Sequence, residues 1–174
     1  MITIEDLAVS EGVARFITAA RQSGLNPVLT VGKLGAEAIT RVYARPNGWS
    51  RKQVTSYMTY FLVFHRTGGE VIDEDILTDI IGTRHKDRAM KRGRLQVAGE
   101  MSPGCMGPFL SEKYRGDLAI FVDRRSYVIK DSLSFSTGVP VEKNGGYFRM
   151  PMQQVCDVLE KFHPGKLSLR ELVK

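Results

Sequence analysis

The segment from residue 84 to residue 94 reads RHKDRAMKRGR and is the densest cluster of cationic side chains in the chain. The cations of this basic segment, which stand against the single carboxylate of Asp87, are Arg84, Lys86, Arg88, Lys91, Arg92 and Arg94. The stretch EVIDEDILTDI at residues 70–80 carries five carboxylates and no cation. Lysine and arginine neutralise phosphates and release condensed counterions. The charge reversal therefore predicts a segment that binds a polyanion. The carboxylates beside it are expected to limit indiscriminate binding, and we call this effect the acidic brake.

A second pair of cations, Arg124 and Arg125, follows the apolar run LAIFV at residues 118–122. The pair lies where one predicted strand ends and the next is expected to begin, which is typical of an exposed turn. We expect both side chains to contact phosphates together with those of the basic segment.

The carboxylates of Asp117 and Asp123 stand at the two ends of the same apolar run. Their even spacing puts both on one face of a strand, and metal-dependent nucleases use carboxylates as ligands for their ions. A third acidic residue is missing, so we expect ordinary carboxylates at a strand end and in a turn. A nuclease site with a divalent ion stays open as an alternative.

The remaining chemistry-bearing residues predict neither a resident metal nor a cofactor. The three histidines share no ligand spacing, and Cys105 and Cys156 are in neither a CxxC nor a CxxH setting. No residue is therefore predicted to be catalytic. A disulfide between the two cysteines is left open.

Length and charge suggest the class of protein. A chain of 174 residues with 43% hydrophobic residues and a formal net charge of +6 predicts one domain with an ordinary core and an acidic partner. The amino terminus MITIEDLAVSEG resembles no targeting signal, and the apolar-rich run at residues 57–64 is too short to cross a bilayer. We therefore expect a cytoplasmic protein that does not contact membranes.

Apolar side chains that recur every three or four positions predict mainly helices in residues 1–100. The predicted helices run from Thr3 to Gly24 with a break at residues 10–12, from Ala36 to Ala44, from Arg51 to about His65, and from an Asp73 cap to Ile81. The strand predicted among them covers Val28 to Val31. The basic segment follows as a helix ending at Gly93 or as an exposed loop that contacts phosphates. A charged face that is only solvated stays open as an alternative.

Residues 109–174 have a different character, because they are rich in strands and predict a small antiparallel sheet followed by a C-terminal helix. The predicted strands are Leu118–Val122, Tyr127–Ile129, Val139–Val141 and Tyr147–Met150. A helix from Pro151 to Phe162 and a short turn at Ser168–Glu171 complete the chain. The predicted fold is therefore α+β in a single domain, 1–174, with a subdivision between residues 100 and 109.

The spacing of a long helix ending at His65, a glycine linker, a short helix ending at Gly82 and a cationic segment resembles a winged helix-turn-helix domain over residues 53–98. In that superfamily the third element enters the major groove of DNA. The resemblance implies that the six cations of the basic segment contact DNA. Arg124 and Arg125 would then form the tip of a basic wing.

Taken together, the residues predict a non-catalytic protein that binds DNA or RNA as a regulatory or accessory factor. One alternative is an enzyme acting on nucleic acid with an ion at Asp117 and Asp123. Another is an assembly module, in which the acidic helix pairs with the basic segment of a neighbouring copy in a homo-oligomer.

Overall fold

The computed structural model describes residues 2–31, 35–46, 58–66, 71–82 and 117–174. These residues form two β-sheets and four helices, so the protein is α+β as predicted. The helices are α1 (Glu11–Gln22), α2 (Glu74–Ile81), the single turn α3 (Arg124–Tyr127) and α4 (Met152–Phe162). None of these helices has both the length and the apolar character that crossing a membrane requires.

The large sheet contains four strands in the order β2, β3, β4, β7. Their bounds are β2 (Ala38–Pro46), β3 (Met58–Arg66), β4 (Asp117–Asp123) and β7 (Leu167–Arg170). Strands β2 and β3 are antiparallel, whereas β3, β4 and β7 run parallel to one another. The sheet therefore combines strands from both sides of residues 100–109.

The small sheet has the order β1, β6, β5, and both of its pairings are antiparallel. Its strands are β1 (Val28–Thr30), β5 (Leu133–Ser136) and β6 (Tyr147–Met150). Glu37, just before β2, donates its backbone N–H to the Ser134 carbonyl of β5 at 2.9 Å. This bond ties the two sheets together.

Buried side chains cover both faces of the large sheet. One face joins a core that also includes the small sheet, α1 and α4, and its contributors include Val42, Phe64, Ile120 and Val122. The other face of the sheet packs under α2. Buried residues of this second core are Tyr43, Phe61 and Val63 from the sheet and Leu77 and Ile81 from the helix. Burial of this apolar area is the main force that holds the sheet between the two layers.

The helix predicted from Ala36 to Ala44 is wrong, because β2 occupies these positions from Ala38 onward. The helix predicted from Arg51 to His65 is also wrong from Met58 onward, where β3 begins, and residues 51–57 lie outside the described part of the chain. Strand β3 is buried on both faces, so its apolar residues form a continuous run. A short run of that kind has no period that separates a strand from a helix.

Three smaller predictions in the second half are wrong. Tyr127–Ile129 is not a strand, because the Asp123 side chain caps the turn α3 at this point. Val139–Val141 is not a strand either; β5 pairs with β6, and residues 137–146 connect the two. The predicted turn at Ser168–Glu171 lies largely in β7, which joins the large sheet.

The connection between β5 and β6 is packed too tightly for side chains at its glycines. A Cβ atom on Gly145 would overlap the carbonyl oxygen of Val139. Asn144 just before it has a φ of 65°, a left-handed conformation that asparagine tolerates better than most residues. Gly145 and Gly146 therefore belong to the connection formed by residues 137–146.

Several predicted elements are confirmed. The helix predicted from Thr3 is confirmed only from Glu11 onward, as α1, because residues 2–9 contain no helix. Helix α1 begins after Ser10, whose hydroxyl accepts the N–H of Val13, and α4 begins after Pro151 as predicted. Helix α2 has its Asp73 cap and ends at Gly82 in the left-handed conformation, with φ of 68°. Strands β1, β4 and β6 match predicted strands to within one residue.

The basic segment lies outside the described residues. The first helix of the winged-helix resemblance would end at His65, where the structure has β3. The short second helix of that pattern exists as α2. Insertion of the basic segment into a DNA groove therefore stays a hypothesis.

Candidate nucleic-acid interface

Four arginines lie at one end of the large sheet. Because β3, β4 and β7 are parallel, their carboxyl ends meet at the same edge. Strand β3 ends at Arg66, β7 ends at Arg170, and Arg124 and Arg125 follow directly after β4. We call these four residues the arginine end.

The strand register brings these positions close together. Phe64 pairs with Val122, so Arg66 ends its strand beside the start of α3. On the other side of β4, Asp123 pairs with Arg170. Neighbouring strands lie about 4.8 Å apart, so the ends of the three strands span about 10 Å across the sheet.

The side chains of the arginine end are accessible to solvent. Arg66, Arg124 and Arg125 are exposed, and the side chain of Arg170 is 43% exposed. Within the described residues, the side chains of Arg124 and Arg125 make neither a hydrogen bond nor an ion pair. Among the described residues, no side chain or backbone group occupies these two guanidinium groups.

A buried carboxylate lies beneath this cationic surface. Asp123 is fully buried, and its Oδ2 accepts the backbone N–H and the hydroxyl of Ser126 at 3.2 and 3.3 Å. Its Oδ1 accepts the N–H of Leu172, just after β7, at 3.1 Å. The Ser126 hydroxyl accepts the N–H of Arg66 at 2.9 Å. Asp123 and Ser126 thus join the ends of all three parallel strands.

One carboxylate contacts the arginine end from the acidic helix. Asp79 of α2 lies 3.6 Å from the guanidinium of Arg170, and both side chains are accessible. Helix α2 ends three residues later, at the Gly82 cap, and the chain then continues into the basic segment. Helix α2 therefore contacts the arginine end and precedes the basic segment in the sequence.

The two carboxylates of the alternative nuclease site do not share an ion. Asp117 and Asp123 stand at opposite ends of the seven-residue strand β4. Six steps along a strand span about 20 Å, far more than one ion can bridge. The described residues also contain no group of three or more histidine, cysteine or acidic side chains that could hold a metal ion.

A different arginine is already matched within the fold. Arg149 of β6 donates to the Glu37 carboxylate at 2.9 Å and to the carbonyl of Ser132 at 3.0 Å. The same Glu37 oxygen accepts the hydroxyl of Ser134 at 3.2 Å. This network joins the two sheets and uses the charge of Arg149 to do so.

The side chains of Cys156 and His163 each have a shifted pKa. Burial raises the pKa of the Cys156 thiol to about 12, helped by the charge of Asp157. Cys156 is buried on α4 and its thiol is free, so this residue takes no part in a disulfide. Burial also lowers the pKa of His163, with the nearby Arg15 acting in the same direction.

Sequence reasoning identified half of the arginine end. It selected Arg124 and Arg125, and the structure places both on the exposed turn α3. It missed Arg66 and Arg170, because finding them requires knowing that β3 and β7 are the parallel neighbours of β4. The six cations of the basic segment lie outside the described residues.

Comparisons with known proteins inform the fold alone. No family model and no curated protein matches the chain. The fold is similar to a crystal structure described as that of the hypothetical protein APE2540, with a TM-score of 0.58 and 12% sequence identity. The similarity covers 93% of this chain and 99% of that chain.

Proposed function

We propose that this protein binds nucleic acid through the arginine end and the basic segment, without catalysing a reaction, as a regulatory or accessory factor of the cytoplasm. The observation that carries the proposal is the exposed pair Arg124 and Arg125, whose side chains have no partner among the described residues. Arg66 and Arg170 lie on either side of this pair.

Arginine suits contacts to the phosphate backbone. Its planar guanidinium presents donors in a fork that matches two phosphate oxygens, and it stays charged at every physiological pH. Strand ends that are tied to one another hold such groups at defined spacings, which limits the ordering needed on binding. The geometry favours backbone contacts, which position a ligand without reading its sequence.

The buried carboxylate of Asp123 does not cancel this surface charge. Its two oxygens are occupied by two backbone N–H groups and one hydroxyl, and the side chain is fully buried. Its hydrogen bonds go to neutral donors, which leaves the exposed guanidinium groups unmatched by it. We propose that Asp79, through its contact with Arg170, supplies part of the acidic brake predicted from the sequence.

The assembly module is the second candidate, and the structure gives it one supporting observation. The carboxylates of α2 are exposed at Glu74, Asp75 and Asp79, so they could face a neighbouring copy. Light scattering across ionic strength tests this candidate. Oligomers that dissociate with salt, in a protein without affinity for nucleic acid, would favour it over the proposed function.

The proposed function is tested by titrating labelled duplex DNA, single-stranded DNA and RNA with the protein at two salt concentrations. We expect binding that weakens steeply as salt is added. Replacing Lys91, Arg92 and Arg94 by alanine should weaken binding and lower the slope of log affinity against log salt by about three, because each phosphate contact contributes nearly one. Absence of binding to all three probes at low salt would refute the proposal.

A further inference from the structure

We infer that Asp123 and Ser126 are positioning residues of the proposed interface, because their side chains set the relative places of the arginines above them. The inference rests on the proposed function, since it concerns the same surface. It adds two buried residues, neither of which is a cation, to the set that determines affinity.

The hydroxyl of Ser126 controls the position of Arg66. It accepts the backbone N–H of Arg66 itself, at 2.9 Å, across 60 residues of sequence. Ser126 is also a member of α3, the turn that carries Arg124 and Arg125. One side chain therefore fixes the end of β3 against the turn that follows β4.

The carboxylate of Asp123 acts in the same way on the other side. It accepts the N–H of Leu172, two residues after Arg170, across 49 residues of sequence. It also caps α3 through the N–H of Ser126. Together the two side chains link the three chain segments that carry Arg66, Arg170 and the pair on α3.

The cap of α1 offers a natural comparison for this arrangement. Ser10 is also buried, and its hydroxyl accepts the N–H of Val13 three residues away. Ser10 therefore stabilises its own helix, whereas Ser126 joins elements that are distant in sequence. Capping a helix needs only a hydrogen bond to an N–H about three residues away. The bonds of Ser126 to Arg66 and of Asp123 to Leu172 go beyond capping, because they fix the positions of the strands that carry the arginine end.

The experiment compares Ser126→Ala with the matched control Ser10→Ala, using the full chain and a labelled single-stranded RNA and duplex DNA. Both changes remove a buried hydroxyl, so we expect both to lower the melting temperature. At a temperature where both variants are folded, Ser126→Ala should weaken binding about fivefold or more, a coupling typical of residues in one network. Ser10→Ala should bind within about twofold of the unaltered protein.

A double-mutant cycle tests whether Ser126 acts through Arg66. If it does, Ser126→Ala should weaken binding less in a background that already carries Arg66→Ala. Asp123→Asn provides a second variant should Ser126→Ala fail to fold. Asparagine also caps helices, but its amide N–H₂ would face one of the N–H or O–H groups that donate to Asp123, so that hydrogen bond would be lost. We expect Asp123→Asn to weaken binding as well.

The outcomes separate this inference from the proposed function. Loss of binding on removing Arg124 and Arg125, with unchanged affinity in both Ser126→Ala and Asp123→Asn, would overturn the inference alone. Equal losses in Ser126→Ala and Ser10→Ala would also overturn it, because they would reveal a general effect of stability. Unchanged affinity without Arg124 and Arg125 would instead count against the proposed interface itself.

Discussion

The arginine of the small sheet and the arginine pair beside the large sheet are used in opposite ways. Arg149 of the small sheet donates to Glu37 and to the Ser132 carbonyl, so its charge is matched inside the fold. Arg124 and Arg125, beside the large sheet, are exposed and have no partner among the described residues. The difference shows that a net charge of +6 does not by itself define a binding surface. What matters is which cations the fold leaves unmatched.

The largest effect is expected from removing the unmatched pair. Replacing Arg124 and Arg125 by alanine should weaken nucleic-acid binding about tenfold and lower the salt slope by about two, because two phosphate contacts are lost. The melting temperature should hardly change, since exposed side chains without partners contribute little to stability. Fluorescence anisotropy at several salt concentrations, with calorimetry of the same samples, measures both quantities.

The control for this change removes two exposed cations elsewhere, Arg21 at the end of α1 and Lys143 in the connection between β5 and β6. Replacing both by alanine alters the net charge by the same amount. If this control weakens binding as strongly as the loss of Arg124 and Arg125, net charge determines the affinity. That result would contradict a specific role for Arg124 and Arg125.

The matched arginine should show the opposite behaviour. Arg149→Met keeps much of the apolar stem but loses both hydrogen bonds, so we expect the free energy of unfolding to fall by about 1 kcal/mol. The ion pair is half-exposed, with side-chain exposures of 39% and 42%, so solvent screening keeps the effect at that modest size. Chemical denaturation measures the loss, and affinity for nucleic acid should be unchanged. A clear drop in affinity would place Arg149 in the interface.

The smallest effect is expected at the acidic brake. Asp79→Asn removes the carboxylate beside Arg170, so binding at low salt should strengthen about two- to threefold, a size typical of an exposed ion pair. The gain should disappear at high salt, where such charges are screened. Glu142→Gln, in the exposed turn between β5 and β6, removes the same charge away from the arginine end. An equal gain in that variant would argue against a local brake.

The elements that could be predicted from sequence are those with strong local signals. Helix α2 has an acidic cap and a glycine at its end, and α4 follows a proline, so both were expected in place. Strand β3 has no such signal, since Phe61 and Val63 face one core and Phe64 the other. Its apolar spacing therefore fitted a helix as well as a strand.

The candidate site could be predicted only in part, for a related reason. Arg124 and Arg125 are adjacent in the chain and follow a recognisable strand, so local reading found them. Asp123 was recognised as a strand-end carboxylate, but its bond to the N–H of Leu172 depends on pairing between β4 and β7. Arg66 and Arg170 join the site through the same long-range pairing. Local propensity does not encode which strands become neighbours.

The parallel alignment of β3 with β4 has a consequence for the order of folding. Residues 67–116 separate these neighbouring strands, and β7 adds to the other side of β4 near the end of the sequence. The chain loses the entropy of closing such a long segment before strand pairing stabilises it, and this slows folding. Arg170 can join Arg66, Arg124 and Arg125 only after residues 167–172 have docked beside β4. An incompletely folded chain would carry the same charges without the surface that brings them together.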